Sequence, residues 1–186
     1  VLNGQIKDRK ALVAVLTSIK KEGIGFANVS LPEEKAFLFK VNVPNTNPRD
    51  IRANLSYQLE TKVPVALASA VFDYDLLVND KKGAQTEAVV TVLPTDFVES
   101  YLGAFKEAGI QPTSFEIEGQ AIARALVPKN CATSILLIDF GHNRTGLSIV
   151  TCGAVVYTST IEIGGETISK KIKEIMKVSD EEVVRI

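Results

Sequence analysis

The run Asp139-Phe140-Gly141-His142-Asn143-Arg144-Thr145 puts a carboxylate, a flexible backbone position and a hydroxyl into one turn between two apolar stretches. An Asp at the end of a buried strand can hold Mg²⁺ through water, because Mg²⁺ keeps several waters and takes few carboxylates. Gly141 lets the backbone approach a phosphate, whose oxygens successive turn N–H groups can cradle, and Thr145 can add a hydroxyl. Arg144 reads either as a further phosphate contact or as a solvated side chain. Upstream, Glu118 stands where a strand pattern gives way to a helix, and from there a carboxylate can orient a water toward a terminal phosphate. Downstream, Gly164-Gly165 separates a strand pattern from a helix beginning at Glu166, a place for close backbone approach at a helix N-terminus. Each feature alone more often marks an ordinary strand end or turn. Together and in this order they predict phosphate contacts at Asp139, Gly141, Thr145, Gly164, Gly165 and Glu166. Asp139 then bears the metal through water and Glu118 is the catalytic candidate.

The elements that must position these residues follow from periodicity. Residues 8–21 carry Leu12, Val15, Leu16 and Ile19 on one helical face, ended by Gly23. Residues 26–31 and 35–41 are β-rich and joined by Pro32-Glu33-Glu34, which predicts a hairpin. Asn47-Pro48 opens a helix with the stripe Ile51, Leu55 and Leu59, and Val63-Pro64 stops it. Phe72, Tyr74, Leu76 and Val78 alternate with Asp73 and Asp75 as a half-exposed strand before a polar turn at residues 79–83. Residues 1–80 thus read as a small α/β unit.

Beyond it, residues 87–93 form a buried-type strand, 95–109 an amphipathic helix, and 112–117 a strand followed by a short helix over 119–127. That strand–helix–strand order predicts parallel pairing with a helical crossover. After a linker at Pro128-Lys129-Asn130 come strands at 134–140, 145–151 and 154–163, with tight turns at 141–144 and at Cys152-Gly153. A helix through Ile168, Ile172 and Ile175 packs after them, and Ser179-Asp180-Glu181-Glu182 is a capping box that starts another.

Composition narrows the function classes. Of 186 residues, 46% are apolar and 23% charged, the balance of a globular core, and the net charge of −1 shows no basic stripe for nucleic acid. No apolar run approaches the ~20 residues that span a bilayer. Cys131 and Cys152 stand apart and His142 is the only histidine, so a conventional zinc site is not built. The lack of an initiator Met and a capping box four residues from the end read as a piece of something longer.

With these residues in place, a resemblance appears. Residues 113–175 are similar to the actin-like ATPases MreB, FtsA and PilM, through Glu118, Leu136-Leu137-Ile138-Asp139-Phe140-Gly141 and Thr160-Ile161-Glu162-Ile163-Gly164-Gly165-Glu166-Thr167-Ile168. The run Asn3 to Asp8, Val29-Ser30-Leu31-Pro32, the helix at 51–59 before Val63-Pro64, Phe72-Asp73-Tyr74 and Glu107-Ala108-Gly109-Ile110 look like PilM in particular. The resemblance implies an α/β, actin-like ATPase (ribonuclease H-like) fold fragment. Residues 1–80 would be its inserted small subdomain, 84–128 the end of the first actin-like subdomain, and 133–186 the start of the second. It implies an ATP- and Mg-binding scaffold of type IV pilus assembly, at most a weak ATPase when whole, with this piece alone binding no nucleotide tightly. It would be cytoplasmic and peripheral to the inner membrane, without inserting there, and would take the cytoplasmic tail of a PilN-like protein. An FtsA-like division protein and a superfamily ATPase or kinase are the alternatives. His142 and Arg144 stand where the family favours small residues, and Gly119 where MreB has Pro.

Two further expectations concern surfaces. Phe37 and Phe39 share one strand face, packed on the 51–59 helix, and Leu38 lies on the other, which is expected to stay partly open as a peptide groove. The strand at 87–93 is expected at an open sheet edge, which would promote self-association.

Overall fold

The computed structural model describes residues 1, 4–44, 47–63, 67–77, 85–128 and 133–183. Asp8 caps the first helix, accepting from the Ala11 amide, and α1 runs Arg9–Lys21. Strand β1 (Phe26–Leu31) follows, then a short 3₁₀ turn at Glu33–Lys35, β2 (Phe37–Pro44) and α2 (Pro48–Lys62). Asn47 caps α2 by accepting from the amides of Arg49 and Asp50, as Asn before Pro predicts. Next come β3 (Ala70–Leu77), β4 (Gln85–Pro94), α3 (Thr95–Glu107), β5 (Gln111–Ile117) and α4 (Glu118–Leu126). The chain continues through β6 (Ile135–Phe140), β7 (Thr145–Thr151), β8 (Ala154–Ile161), α5 (Gly165–Met176) and α6 (Asp180–Val183). The Ser179–Glu182 capping box forms in both directions. Cys131, Pro64, Val78, the whole turn at 79–83 and residues 129–130 of the linker lie outside the described residues.

The pairing of these strands departs from the local reading. β1 and β2 do not form a hairpin: the 3₁₀ turn redirects the chain, β1 pairs in parallel with β5, and β2 pairs antiparallel with β4. β4 is the central strand of the order β2-β4-β3, so it has no open edge, and it does not pair with β5 across α3. The parallel pair is instead β1–β5, with everything from β2 to α3 lying between them in sequence. Among the described residues, no strand within 1–80 pairs with another there, and backbone pairing joins this stretch to β4 and β5 in two sheets. The third sheet is the antiparallel order β6-β7-β8.

Packing explains the arrangement. α2 lays Ile51, Leu55 and Leu59 against Val41, Val43, Ala88, Val90 and Val92 on one face of the β2-β4-β3 sheet, and Phe37 and Phe39 pack there as expected. Leu38 points to the opposite face, which is covered around Leu38 itself: it packs against three further clusters built from β1, β5 and α3, from Leu77, Val89 and Ala154, and from Ala123, Val150 and Val155, while toward β3 the same face stays open at Val71, Asp73 and Thr91. The alternation on β3 slips at its end, where Leu76 faces out and Leu77 is buried. Helix α5 forms over its apolar stripe but buries none of its residues. Among the described residues, no helix is long and apolar enough to cross a membrane.

Candidate functional site

Ligands of open α/β sheets gather at the carboxyl ends of parallel strands. Here β1 ends at Leu31 and β5 at Ile117, and the residues just beyond are acidic: Glu33 and Glu34 in the 3₁₀ turn, Glu118 at the first position of α4. Gly119 allows α4 to settle on the third sheet, since a Cβ there would lie 2.5 Å from Ser148 Oγ and 3.3 Å from Thr158 Cγ2. That contact brings the turn between β6 and β7 opposite the three glutamates.

Asp139, the last residue but one of β6, lies beside Gly146 of β7, its register partner. Asp139, Glu118 and Glu33 line a cavity of about 10 Å³ walled by Gly146 and Ser148, room for about one water. Among the described residues, no three acidic, His or Cys side chains converge closely enough to hold a metal directly. A space for one water is too small for a hydrated magnesium ion, so magnesium held through water by Asp139 and Glu118 would need this cavity to open.

Arg144 is not a solvated side chain. Its Nη2 donates to both carboxylate oxygens of Glu118, at 2.8 and 2.7 Å, and its Nη1 pairs with Glu34 Oε1. One guanidinium from the β6–β7 turn thus bridges the ends of β1 and β5. Glu33, 7% exposed, accepts from Thr160 Oγ1 at 2.8 Å. Burial pushes its carboxyl above the ordinary range and the charge of Asp139 adds to this, against the Thr160 bond and the Arg144 charge. Glu118 is pushed up to about 7, first by burial and then by the charges of Glu33 and Asp139, despite the Arg144 contact.

The remaining candidates form a backbone joint. The Gly165 amide donates to the Gly141 carbonyl at 3.0 Å and the Glu166 amide to the His142 carbonyl at 2.8 Å. The start of α5 therefore holds the turn through amides that are already committed. Gly164 lies so close that a Cβ would meet His142 O, Arg144 N and Gly141 O at 2.5–2.6 Å. The buried Thr145 hydroxyl donates to the Ile163 carbonyl at 2.6 Å and ties β7 to the end of β8. Glu166 faces Lys170 at 3.1 Å and His142 at 3.6 Å. The structure thus gathers Asp139 and Glu118 around the cavity and places Gly141, Thr145, Gly164, Gly165 and Glu166 in the joint behind it. Glu33 and Glu34 escaped the sequence reading; two acids directly after a strand end were the available signal.

A second concavity lies between sheets. The free edge of β3 and the free edge of β5, with α4 beside it, enclose an apolar groove of about 770 Å³. Leu93 and Ile117 form its buried floor, and Val71, Leu76 and Phe115 its walls. At the rim Arg124 pairs with both oxygens of Glu116.

Comparison with known proteins places this geometry. A structure titled as a PilM–PilN type IV pilus biogenesis complex aligns with a TM-score of 0.76 at 15% identity, covering 98% of this chain and 57% of that one. The cytoplasmic domain of EpsL, an inner-membrane component of the type II secretion system of Vibrio cholerae, aligns at 0.59 and 15% identity, over 90% of this chain and 61% of that one. An MreB of Spiroplasma citri bound to ADP aligns at 0.53 and 15% identity, over 98% and 41%. These likenesses show the actin-like ATPase fold, and the chain spans under two thirds of each of these structures. No curated protein matches the chain in sequence. The family model described as type IV pilus assembly protein PilM matches residues 1–185, and the chain belongs to that family.

Proposed function

We propose that this chain is part of a cytoplasmic scaffold of type IV pilus assembly that takes the cytoplasmic tail of a PilN-like membrane protein and so lies at the inner membrane through its partner. The observation that carries this reading is the apolar groove between the free edges of β3 and β5. An extended peptide gains main-chain hydrogen bonds by adding to such an edge, while alternate side chains enter an apolar floor. The related structure titled as a PilM–PilN complex supports a partner of this kind.

The carboxylate site supports nucleotide binding in the whole protein, as does the ADP in the related MreB structure. Magnesium would neutralise phosphate charge there, with Asp139 and Glu118 holding its waters. With no nucleotide bound, Glu118 has both oxygens on Arg144 and orients no water in that arrangement.

The groove is tested by titrating a synthetic peptide of a PilN-like cytoplasmic tail against the full-length protein. Val71 and Leu76 are 41% and 39% exposed on the groove wall, so lysine at either leaves the fold intact. Val71→Lys and Leu76→Lys are expected to weaken the peptide at least about tenfold, the scale of burying an unpaired charge, with thermal midpoints close to wild type. Peptide affinity equal to wild type in both variants would place the docking surface elsewhere.

A further inference from the structure

Arg144 has an unusual position for a cation in a phosphate turn. It reaches away from its own hairpin to two carboxylates beyond the ends of β1 and β5, and it occupies both oxygens of one of them. The other cationic candidate of the turn, His142, is exposed and faces Glu166 on α5. Arg144 is therefore the positive group that answers the cluster of Glu33, Glu34, Glu118 and Asp139.

We infer that Arg144 is a resident counter-ion of the nucleotide cleft, held by Glu34 and Glu118 until an entering phosphate draws it off. The inference rests on the nucleotide reading above. A guanidinium presents a planar fork that matches phosphate as well as carboxylate, and the pairs it makes with either are charge-assisted. Phosphate at the β6–β7 turn lies beside the backbone that carries Arg144, so the exchange needs only rotation of a long side chain. When it moves, Glu118 is released toward the water-sized cavity it shares with Asp139, and Glu34 loses its partner. Nucleotide binding is thereby set against two ion pairs. Glu34 restrains Arg144 without lining that cavity, so weakening the restraint favours the bound arrangement.

The test is calorimetric titration of the full-length protein with Mg-ATP and, separately, with adenosine. Glu34→Gln is expected to bind ATP about fivefold more tightly, the upper scale of a partly exposed ion pair, with adenosine affinity unchanged. Arg144→Ser is expected to weaken ATP, and adding Glu34→Gln to it should bring no gain, because the restrained group is gone. Glu34→Asp, which draws the charge back from Arg144, is a second variant and must shift ATP affinity in the same direction. A merely structural ion pair would lower the thermal midpoint of these variants and leave the ATP-to-adenosine ratio where it was. ATP binding by wild type with no gain in either Glu34 variant, or an equal gain in the Arg144→Ser background, overturns this inference alone. No ATP binding by wild type overturns the nucleotide reading and this inference with it.

Discussion

At the residue scale the site is governed by how many carboxylates one arginine must answer. Glu118 has an ordinary value of 4.5 and is pushed up to about 7, by burial first and by Glu33 and Asp139 after it. The folded chain therefore keeps a proton that the unfolded chain releases. Stability from this group is full below about 4.5, declines as pH rises, and is lost by about 7. Glu118→Gln removes that titration. Its thermal midpoint should fall less than that of wild type between these two values, read by circular dichroism across a pH series. Parallel midpoint curves for the two proteins would mean that Glu118 is not desolvated as its surroundings require. The positions of Asp139 and Glu118 near strand ends were legible in the sequence because a strand end followed by a turn or helix is a local pattern. Glu33 and Glu34 were not. Their place depends on β1 pairing with a strand about 85 residues away, and nothing local distinguishes such acids from those of a hairpin turn.

At the element scale, periodicity located the helices and strands well, while pairing was misread wherever it was non-local. A run such as 26–31 declares that it is a strand but not which edge it meets, since backbone hydrogen bonds carry no residue identity. The hairpin between residues 26–31 and 35–41 failed for that reason. The Gly164-Gly165 pair shows the converse, a local motif whose role only the fold reveals. Gly164 has an extended backbone, φ −142°, that any residue adopts, so its need for glycine comes from three backbone atoms within 2.6 Å of the place a Cβ would take. Backbone cannot rotate aside as a side chain tip can. Gly164→Ala should therefore cost about 2–3 kcal/mol, as overpacking does, and loosen the joint between α5 and the phosphate turn. Gly165→Ala is the control: its nearest neighbour would be 3.9 Å away, and its effect should stay within about 0.5 kcal/mol. Equal unfolding free energies for the two variants in denaturant titrations would show that the turn relaxes freely.

At the scale of the whole molecule, three sheets must act as one support for a cleft and a groove, and Leu38 is where they meet. The sequence placed it correctly on the face of β2 opposite Phe37 and Phe39, but not what covers that face, because the covering residues come from β5, α3, α4, β7 and β8. It packs against the cluster that holds Leu31, Leu93 and Ile117, against that of Leu77, Val89 and Ala154, and against that of Ala123, Val150 and Val155. Truncation to alanine removes contacts from all three clusters at once, and they cannot all collapse toward one small vacancy. Leu38→Ala should cost about 2–3 kcal/mol, the lower part of the range for large-to-small core changes because Leu38 is only partly buried. In a chain of this length that is a fall of roughly 5–10 °C in thermal midpoint. Leu136→Ala, on the exposed face of β6 at 58% exposure, should leave the midpoint nearly unchanged. The shape of the transition matters as much as its position. If Leu38 joins the β2-β4-β3 sheet to the β6-β7-β8 sheet, the variant should broaden unfolding or split it, as fluorescence of Tyr74 on β3 and Tyr157 on β8 would report in single-tyrosine backgrounds. A Leu38→Ala protein that melts at the wild-type temperature, with both probes coincident, would show that the sheets are held together without it.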